Sequence, residues 1–394
     1  MMASKEELKE ELRLILEIGV GGCSFGPQTF KELVQKHPIN SAVHLCQDGS
    51  RDDSSGFYLP DRFYTKNNFQ VSPLLNRHGI YHFEADADKA YIKKGHEVVL
   101  ELELWDHPDF YEKKTSDGID MKIICNDTGN TRHGRKNLFT AYSNECSLKD
   151  KGLDCLFCNI NSTKARFAEK ENIQWKQPKQ IAEVVKAAYD EGYTHFTVTG
   201  GFIPERREVD YYLDVAEAVQ EELGREYING TACIGAPKDI SIIEKYKEAG
   251  WTTIAMNMEV WNENFYNAIC PGKVQECGGY SHWLEAIKYA VEVFGKGNVR
   301  SNFVGGLEPK EYLLDGIETL SSWGVVTTAT TWAPAVGSAF EGHQTPNADW
   351  HWEVQNRIVE ILKKNGISYE QLSNASNGHW YMHELYAIDE GIVA

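Results

Sequence analysis

The second half of the chain alternates short apolar runs with amphipathic segments, beginning near residue 138. The runs "LFTAYS" (138–143) and "HFTVTGG" (195–201) have the length and composition of buried strands. Between them, "PKQIAEVVKAAYDEG" places Pro178 at a helix start, apolar residues along one face and Gly192 at the end. This stretch therefore predicts a strand, a loop, a helix and a second strand.

The same alternation continues to about residue 331. Further strands are predicted near residues 227–234, 252–258, 299–304 and 325–331, with helices near 210–223, 239–249, 280–294 and 309–322. A residue tolerant of positive φ is favoured at the end of a helix, and a glycine follows each of these four, at Gly224, Gly250, Gly295 and Gly324. Six strands joined by helices predict a parallel sheet, either an open doubly wound sheet or a partial barrel. In both architectures the chemistry lies at the C-terminal ends of the strands.

The first 135 residues lack this alternation. Ser4 and Glu7 have the spacing of a capping box and predict a first helix that ends near Gly19. Later apolar runs predict strands at 97–105 ("EVVLELELW") and 121–125 ("MKIIC"). We therefore expect an N-terminal α+β accessory region at residues 1–135, a core at 136–345 and a C-terminal helical extension at 346–394.

Composition narrows the range of partners. Acidic residues outnumber basic ones by 58 to 40 in 394 residues, for a formal net charge of -18. This balance gives no electrostatic footprint for a phosphate backbone or an anionic membrane, so we expect neither nucleic acid nor membrane as a partner. No apolar run approaches the length of a membrane span, and the N-terminus lacks the features of a signal peptide, so we expect a cytoplasmic location.

Three of the nine cysteines form a cluster directly after the first predicted strand of the core. They are Cys146, Cys155 and Cys158, with eight residues between the first two and two between the last. In a reducing compartment such a cluster is typical of metal-binding or catalytic sites. A structural zinc site needs four ligands, whereas a 4Fe-4S cluster held by three thiolates leaves one iron open to a non-protein ligand.

At this loop the chain resembles the radical S-adenosylmethionine (SAM) superfamily, whose first barrel strand is followed by three cysteines with an aromatic residue between the last two. Here the ending is Cys155-Leu156-Phe157-Cys158, although the family usually has three residues between the first two cysteines. The resemblance implies a partial (β/α)6 barrel of the TIM type. It also implies a 4Fe-4S cluster held by the three cysteines, with SAM on the open iron next to Phe157.

Later strands carry further motifs of this family. Gly200 and Gly201 resemble the Gly-Gly motif that receives the methionine end of SAM. The stretch "MNMEVWNENFYNAICPGK" (256–273) is similar to biotin synthase, lipoyl synthase and the aromatic amino acid lyases. By that resemblance Asn257 and Glu259 bind the ribose hydroxyls of SAM.

The fifth and sixth strands resemble the adenine side of the family's SAM site. Val304 matches part of the adenine motif, and Trp332 lies in "TWAPAVGS" (331–338), where related enzymes close the adenine pocket. Strand alternation then places Arg300 on the same face as Val304. A cation inside a barrel is costly without a partner, so Arg300 is a candidate anchor for a substrate carboxylate or phosphate, with a structural ion pair as the alternative.

Cys270 and Cys277 flank "PGKVQE" in the loop after the fourth strand. They could hold an auxiliary cluster, form a redox pair or have no special role, and Cys270 is kept as a catalytic candidate.

We therefore expect a radical SAM enzyme that cleaves SAM to a 5′-deoxyadenosyl radical and abstracts hydrogen from a small molecule in cofactor or natural-product biosynthesis. The expected partners are that substrate and an electron donor such as flavodoxin or ferredoxin. Two alternatives stay open: a (β/α)-barrel enzyme with a structural zinc on the 146–158 loop, and an iron-sulfur scaffold protein without SAM chemistry.

Overall fold

The computed structural model describes most of the second half of the chain and parts of the first. The described residues are 3–24, 41–42, 59–60, 63–72, 74, 76, 78–85, 89–104, 107–125, 127–130, 136–143, 145–160, 173, 175–335, 337–376 and 380–392. None of the helices in these ranges is both long enough and apolar enough to cross a bilayer.

The N-terminal region begins with helix α1 (Lys5–Gly21). Ser4 caps this helix: its hydroxyl accepts from the backbone of Glu7, and the Glu7 side chain accepts from the backbone of Ser4, so the predicted capping box is confirmed. Short strands follow, namely β1 (Cys23–Ser24), β2 (Ser41–Ala42), β3 (Leu59–Pro60), β4 (Phe63–Tyr64), β5 (Gln70–Val71), β6 (Tyr81–Ala85), β7 (Ala90–Lys94) and β8 (Glu97–Leu104). Six of them form one sheet in the order β1-β6-β7-β8-β4-β5, and β2 pairs with β3.

The predicted strand at 121–125 is wrong. A 3-10 turn at Asp109–Glu112 is followed by one turn of helix, α2 (Met121–Ile124). Met121 and Ile124 are both buried, because residues three apart lie on the same face of a helical turn. A short apolar run fits either a strand or a buried helical turn, and here tertiary packing selects the turn.

The core is a seven-stranded sheet, six strands of which are parallel. Its members are β9 (Asp127–Asn130), β10 (Lys136–Ala141), β11 (His195–Thr199), β12 (Ile228–Cys233), β13 (Trp251–Ala255), β14 (Val299–Gly305) and β15 (Val326–Thr331). They lie in chain order, with β9 antiparallel at one edge and β15 at the other. The helices between and after these strands are α3 (Ser147–Asp150), α4 (Pro178–Asp190), α5 (Glu205–Leu223), α6 (Ile243–Glu248), α7 (Glu263–Ile269), α8 (Pro271–Glu276), α9 (Gly279–Phe294) and α10 (Lys310–Ser322). The predicted partial (β/α)6 barrel is therefore confirmed.

The helix ends follow the glycine pattern of the sequence. All four predicted glycines have positive φ, from 65° at Gly224 to 96° at Gly250. Gly224 is left-handed at the end of α5, a conformation that glycine adopts at little cost. The two short helices α7 and α8, between β13 and α9, were not predicted.

A ladder of polar side chains crosses three neighbouring barrel strands. His195 Nε2 lies 2.8 Å from the hydroxyl of Thr231, which is itself hydrogen-bonded to Thr253. All three residues are buried. Because side chains alternate along a strand, Cys233 lies on the same face as Thr231, two residues nearer the C-terminal end.

Three helices follow the barrel: α11 (Ala348–Lys364), α12 (Tyr369–Ala375) and α13 (Tyr381–Glu390). The first helix of the chain packs against two of them, and Lys9 forms an ion pair with Asp389 of α13 at 2.6 Å. One continuous hydrophobic core includes residues of α1, of the barrel and of these helices. The division into three regions at residues 135 and 345 stays a prediction.

Candidate functional site

A cavity of about 190 Å³ lies at the C-terminal ends of the first four barrel strands. Eight of the residues predicted from the sequence line it together: Cys146, Cys155, Phe157, Cys158, Gly200, Gly201, Asn257 and Glu259. The position agrees with the rule that parallel α/β sheets place their chemistry at the strand ends.

The cysteine loop is tied to the loops after two other strands. Ser147 N donates to the carbonyl of Phe202 at 2.9 Å, and Leu156 N donates to the carbonyl of Ile269 at 2.9 Å. Within the loop, Cys158 N donates to the carbonyl of Cys155 at 2.9 Å. Backbone hydrogen bonds thus hold the loop over the cavity.

The eight residues between Cys146 and Cys155 reach the cavity wall through Leu148. They contain α3 and a turn, in which Lys151 and Gly152 are exposed while Leu148 is buried. Lys151 pairs with Glu276 of α8 at 2.9 Å. The insert thus exposes its polar turn to solvent and leaves the three cysteines at one cavity.

The thiols of Cys155 and Cys158 are protonated at neutral pH in the isolated chain. A hydrogen bond with Cys270, followed by burial, raises the pKa of Cys155 well above its usual range. Burial raises the pKa of Cys158 to about 11. Because metals bind the thiolate form, ligation by these residues has to release protons.

The donor set suits an iron-sulfur cluster. Cys233 and Cys277 also line the cavity, so five thiols face it, and thiolates are the ligands that such clusters use. In the described part of the chain, no group of three His, Cys, Asp or Glu side chains is arranged to hold a single metal ion.

The two glycines after β11 allow close packing of the cysteine loop. A Cβ on Gly200 would lie 2.3 Å from the ring of Tyr142, and one on Gly201 would lie 2.1 Å from the carbonyl oxygen of Glu145 and 2.8 Å from Cβ of Cys146. The space that each glycine leaves is therefore filled by the chain itself. The predicted contact of these glycines with SAM through their backbone stays a prediction.

Glu259 is held by a lysine that the motif comparison did not single out. Lys273 Nζ lies 3.2 Å from Oε1 of Glu259 and donates to the carbonyl of Asn257 at 2.7 Å. The ammonium also lies 4.3 Å from the ring centre of Trp283. Glu259 has φ of 67°, a left-handed conformation that is unusual for a non-glycine residue.

Sequence reasoning missed several residues of the cavity wall. The missed set is Glu208, Lys273 and Trp283, whereas Cys277, which also lines the cavity, was considered from the sequence. Glu208 accepts a hydrogen bond from Gly235 N at 3.3 Å. Lys273 directly follows Pro271-Gly272, so its place in the motif was the one signal that pointed to it.

Two of the predicted catalytic residues do not line this cavity. Cys270 is fully buried behind it, against Cys155. Arg300 is 5% exposed, its Nε has no hydrogen-bond partner, and none of the described carboxylates lies within ion-pair distance of it. Strand alternation places Arg300 one step deeper in the barrel than Asn302, whose backbone N donates to the Asn257 side chain at 3.2 Å.

The predicted adenine-side residues are also outside this cavity. Val304 is buried, and its backbone N donates to the carbonyl of Glu259 at 2.8 Å. Trp332 lines a second cavity, beyond β15. Their contact with adenine stays a prediction.

A (β/α)6 barrel with a cysteine loop after its first strand is the arrangement of a radical SAM domain, and the family model of the radical SAM superfamily matches residues 143–320. These residues are thus similar to that superfamily, whose members are enzymes that use a 4Fe-4S cluster and SAM.

One curated relative is the bacteriochlorophyllide c C-7(1)-hydroxylase of Chlorobaculum limnaeum. It is 30% identical over 241 residues, which cover 57% of this chain and 59% of the relative. The chain thus spans less than two thirds of the length of the curated relative that it matches.

Solved structures with a similar fold include methylornithine synthase (PylB) and the FeFe-hydrogenase maturase HydG from Carboxydothermus hydrogenoformans. PylB is 16% identical, with a TM-score of 0.46 and coverage of 62% of this chain and 69% of that one. HydG is 18% identical, with a TM-score of 0.46 and coverage of 61% and 56%.

Proposed function

We propose that the chain is a radical SAM enzyme that cleaves SAM reductively and abstracts a hydrogen atom from a small-molecule substrate. The observation that carries this proposal is the meeting of Cys146, Cys155 and Cys158 with Gly200-Gly201 and Asn257 at one cavity. Each group comes from a different strand end. Their convergence matches what a cluster with SAM bound beside it requires.

The three cysteines are the proposed cluster ligands. A reduced 4Fe-4S cluster held by these residues would supply the electron for reductive cleavage of SAM and so the radical chemistry of the reaction. The chain contributes thiolates from a loop that backbone hydrogen bonds hold in place. It also contributes a cavity whose wall includes the buried side chains of Leu148, Ile234 and Trp283, which limit the access of water.

The strand-end residues are proposed to position SAM. Asn257 and Glu259 offer an amide and a carboxylate to the ribose hydroxyls. Lys273 fixes the carboxylate of Glu259, so that its free oxygen keeps one orientation. Phe157 contributes an aromatic surface to the same cavity.

Arg300 is the proposed anchor of the substrate. Arg300 is 5% exposed, and its buried Nε has no hydrogen-bond partner among the described residues. Moving a charged group from water into the protein interior costs on the order of several kcal/mol, unless an opposite charge lies beside it. A substrate carboxylate or phosphate would supply that charge, so we propose a small molecule with an anionic group.

The biological setting is part of the proposal. The curated relative is named as a hydroxylase of bacteriochlorophyllide c, which favours a small-molecule substrate in cofactor or natural-product biosynthesis. We propose a cytoplasmic enzyme that receives electrons from a donor such as flavodoxin or ferredoxin.

An anaerobic assay tests the proposed function. The chain is reconstituted with iron and sulfide and reduced with dithionite in the presence of SAM, and 5′-deoxyadenosine is measured. We expect iron-sulfur charge-transfer absorbance and product from the parent chain and neither from Cys155→Ala. The matched control is Cys23→Ala, which removes a buried cysteine of the N-terminal sheet and should keep both signals.

The other outcomes identify the alternatives. A chain that forms the cluster without producing 5′-deoxyadenosine would be a scaffold protein. A chain that binds zinc and shows no iron-sulfur absorbance would be a zinc-containing barrel. Either result overturns the proposed function.

A further inference from the structure

Cys270 lies directly behind Cys155, the second cysteine of the loop. Val260, Ile269 and Cys270 form a small buried apolar cluster, and Cys155 and Leu156 pack against it. The thiol of Cys155 is hydrogen-bonded to that of Cys270. The two thiols are therefore neighbours, although they come from the loops after two different barrel strands.

The backbone holds these two cysteines together. Leu156 N donates to the carbonyl of Ile269 at 2.9 Å, and these residues directly follow Cys155 and precede Cys270. Cys270 itself lies at the junction of α7 and α8, where its N donates to the carbonyl of Tyr266 at 2.9 Å. A disulfide needs two Cα atoms close together, and a backbone hydrogen bond beside both cysteines provides that closeness.

The two thiols differ in their access to small molecules. Cys155 lines the cavity of the candidate site, whereas Cys270 is 0% exposed. A small oxidant that enters the cavity therefore meets Cys155, and Cys270 lies behind it. This arrangement is typical of a cysteine that is attacked by an oxidant and a second, resolving cysteine that closes a disulfide on it.

We propose that Cys270 is the resolving thiol of Cys155 when the loop holds no cluster and meets hydrogen peroxide. The sulfur of Cys155 first attacks one peroxide oxygen, the O–O bond breaks, and a sulfenic acid and one water form. The sulfur of Cys270 then attacks that of Cys155, the S–O bond breaks, and a second water leaves with the Cys270 proton. The two thiols lose two electrons and two protons, and one peroxide becomes two waters.

The disulfide protects a residue that the proposed cluster requires. A sulfenic acid that is left alone is oxidised further to a sulfinic acid, which small thiols do not reduce. A disulfide, in contrast, is opened by thiol exchange, which returns Cys155 to the loop. Because one sulfur cannot form a disulfide and bind iron together, the oxidised loop accepts a cluster only after reduction.

This benefit to the chain rests on the proposed function, whereas the disulfide needs only the folded chain without a cluster. The two proposals therefore fail separately. A chain that produces no 5′-deoxyadenosine can still form the disulfide, and a chain that produces it can lack the disulfide.

Two other thiols compete for Cys155. Cys158 lies at the far end of the same turn, where its N donates to the carbonyl of Cys155 at 2.9 Å, and Cys277 lines the same cavity. The hydrogen bond of the Cys155 thiol goes to Cys270, which favours Cys270 as the partner.

Peptide mapping of the full chain, prepared without iron, tests the proposal. The chain is treated with excess hydrogen peroxide, alkylated with iodoacetamide and digested with trypsin. Trypsin leaves Cys155 and Cys158 in residues 152–164, Cys270 in residues 248–273 and Cys277 in residues 274–288. We expect residues 152–164 linked to residues 248–273 through Cys155, with Cys158 outside the link, and loss of the link on treatment with dithiothreitol.

Cys270→Ala removes the resolving thiol. We expect Cys155 of this variant to gain two oxygen atoms, as a sulfinic acid, and its iron content after dithiothreitol and reconstitution to stay low. The parent chain should recover the iron content of an untreated sample. The matched control is Cys23→Ala, which changes a buried cysteine of the N-terminal sheet and should behave as the parent. Far-UV circular dichroism and the Tm show that each variant is folded.

The contrary outcomes are equally specific. A Cys155 that stays a free thiol, or that links to Cys158 or Cys277, overturns the role of Cys270. Equal amounts of sulfinic acid at Cys155 in the parent and in Cys270→Ala overturn the protective role.

Discussion

Lys273 and Glu259 form an ion pair inside the candidate site, with 3.2 Å between Nζ and Oε1 and with 11% and 14% of the two side chains exposed. Burial lowers the pKa of Lys273, but the Glu259 carboxylate and the neighbouring thiols raise it by more, so it lies above its usual range. Lys273 is therefore a permanent cation beside the cysteine loop. It fixes the carboxylate that we propose for ribose binding.

Replacing Lys273 with methionine should leave Glu259 buried without its partner. We expect the free energy of unfolding to fall by about 3 kcal/mol, because breaking one side of a buried pair leaves an uncompensated charge. Urea unfolding at pH 7 measures this loss, and calorimetry with SAM should show weaker binding. Lys273→Arg retains the charge and should recover part of both.

The double variant Lys273→Met/Glu259→Leu distinguishes a coupled pair from two separate effects. An apolar pair of similar volume often replaces a buried ion pair at little cost, so the double variant should be more stable than Lys273→Met alone. Additive losses would show that the two side chains are not coupled.

Gly201→Ala should displace the cysteine loop. The new Cβ would lie 2.1 Å from the carbonyl oxygen of Glu145, a distance that the backbone cannot accept without moving. We expect a loss of about 2 kcal/mol of stability from overpacking, together with a clear loss of iron bound per chain after reconstitution. Gly235→Ala is the matched control, because its Cβ would lie 3.7 Å from its nearest neighbour, a side-chain atom of Phe202. Equal iron content in the two variants would contradict the packing role of Gly201.

Arg300→Met should stabilise the ligand-free chain. It removes a buried guanidinium that has no described carboxylate partner, and apolar replacement of buried charge can add about 2 kcal/mol to the free energy of unfolding. Acetate and inorganic phosphate should raise the Tm of the parent chain and not that of Arg300→Met, because a ligand stabilises only the state that binds it. Arg357→Met is the control, since Arg357 is exposed and pairs with Glu360 on the surface of α11. A large loss of stability in Arg300→Met would instead indicate a structural ion pair.

The stability of the fold should fall between pH 7 and pH 5 because of His351. Burial lowers the pKa of His351 to about 4, against about 6.5 in the unfolded chain. As pH falls, His351 therefore binds a proton in the unfolded chain before it does so in the folded chain. The folded state loses stability between about pH 6.5 and about pH 4. The expected loss from this residue at pH 5 is about 2 kcal/mol.

Urea unfolding at the two pH values measures this effect. His351→Gln should give a smaller difference between pH 7 and pH 5 than the parent chain does. His78→Gln, which changes an exposed histidine, should leave the difference unaltered. If His351→Gln has the same pH dependence as the parent, other groups are responsible.

The fold was predictable where the signals were local. Ser4 and Glu7 determine a helix start through their own hydrogen bonds, and the barrel strands are apolar runs bounded by polar turns. The segment 121–125 has no such determinant, because four apolar residues fit a strand and a helical turn equally well. Its packing against the 3-10 turn at Asp109–Glu112 and against α4 decided the outcome.

The site was predictable to the extent that motifs follow strand ends. Gly201 and Asn257 could be located because each comes directly after a barrel strand. Lys273 could not be placed beside Glu259 from the sequence, since the two unpredicted helices α7 and α8 bring it back. The surroundings of Trp332 depend on which part of the N-terminal region covers β15, and no local pattern carries that information.

The contact between α1 and α13 has a consequence for the time course of folding. Lys5 Nζ donates to the carbonyl of Asp389, 384 positions later in the chain, and the apolar face of α1 is buried against helices that are made last. During synthesis that face, which includes Leu12 and Ile15, stays exposed to water or bound by a chaperone until α13 has left the ribosome. The α1 segment is thus made long before the helices that bury its apolar face.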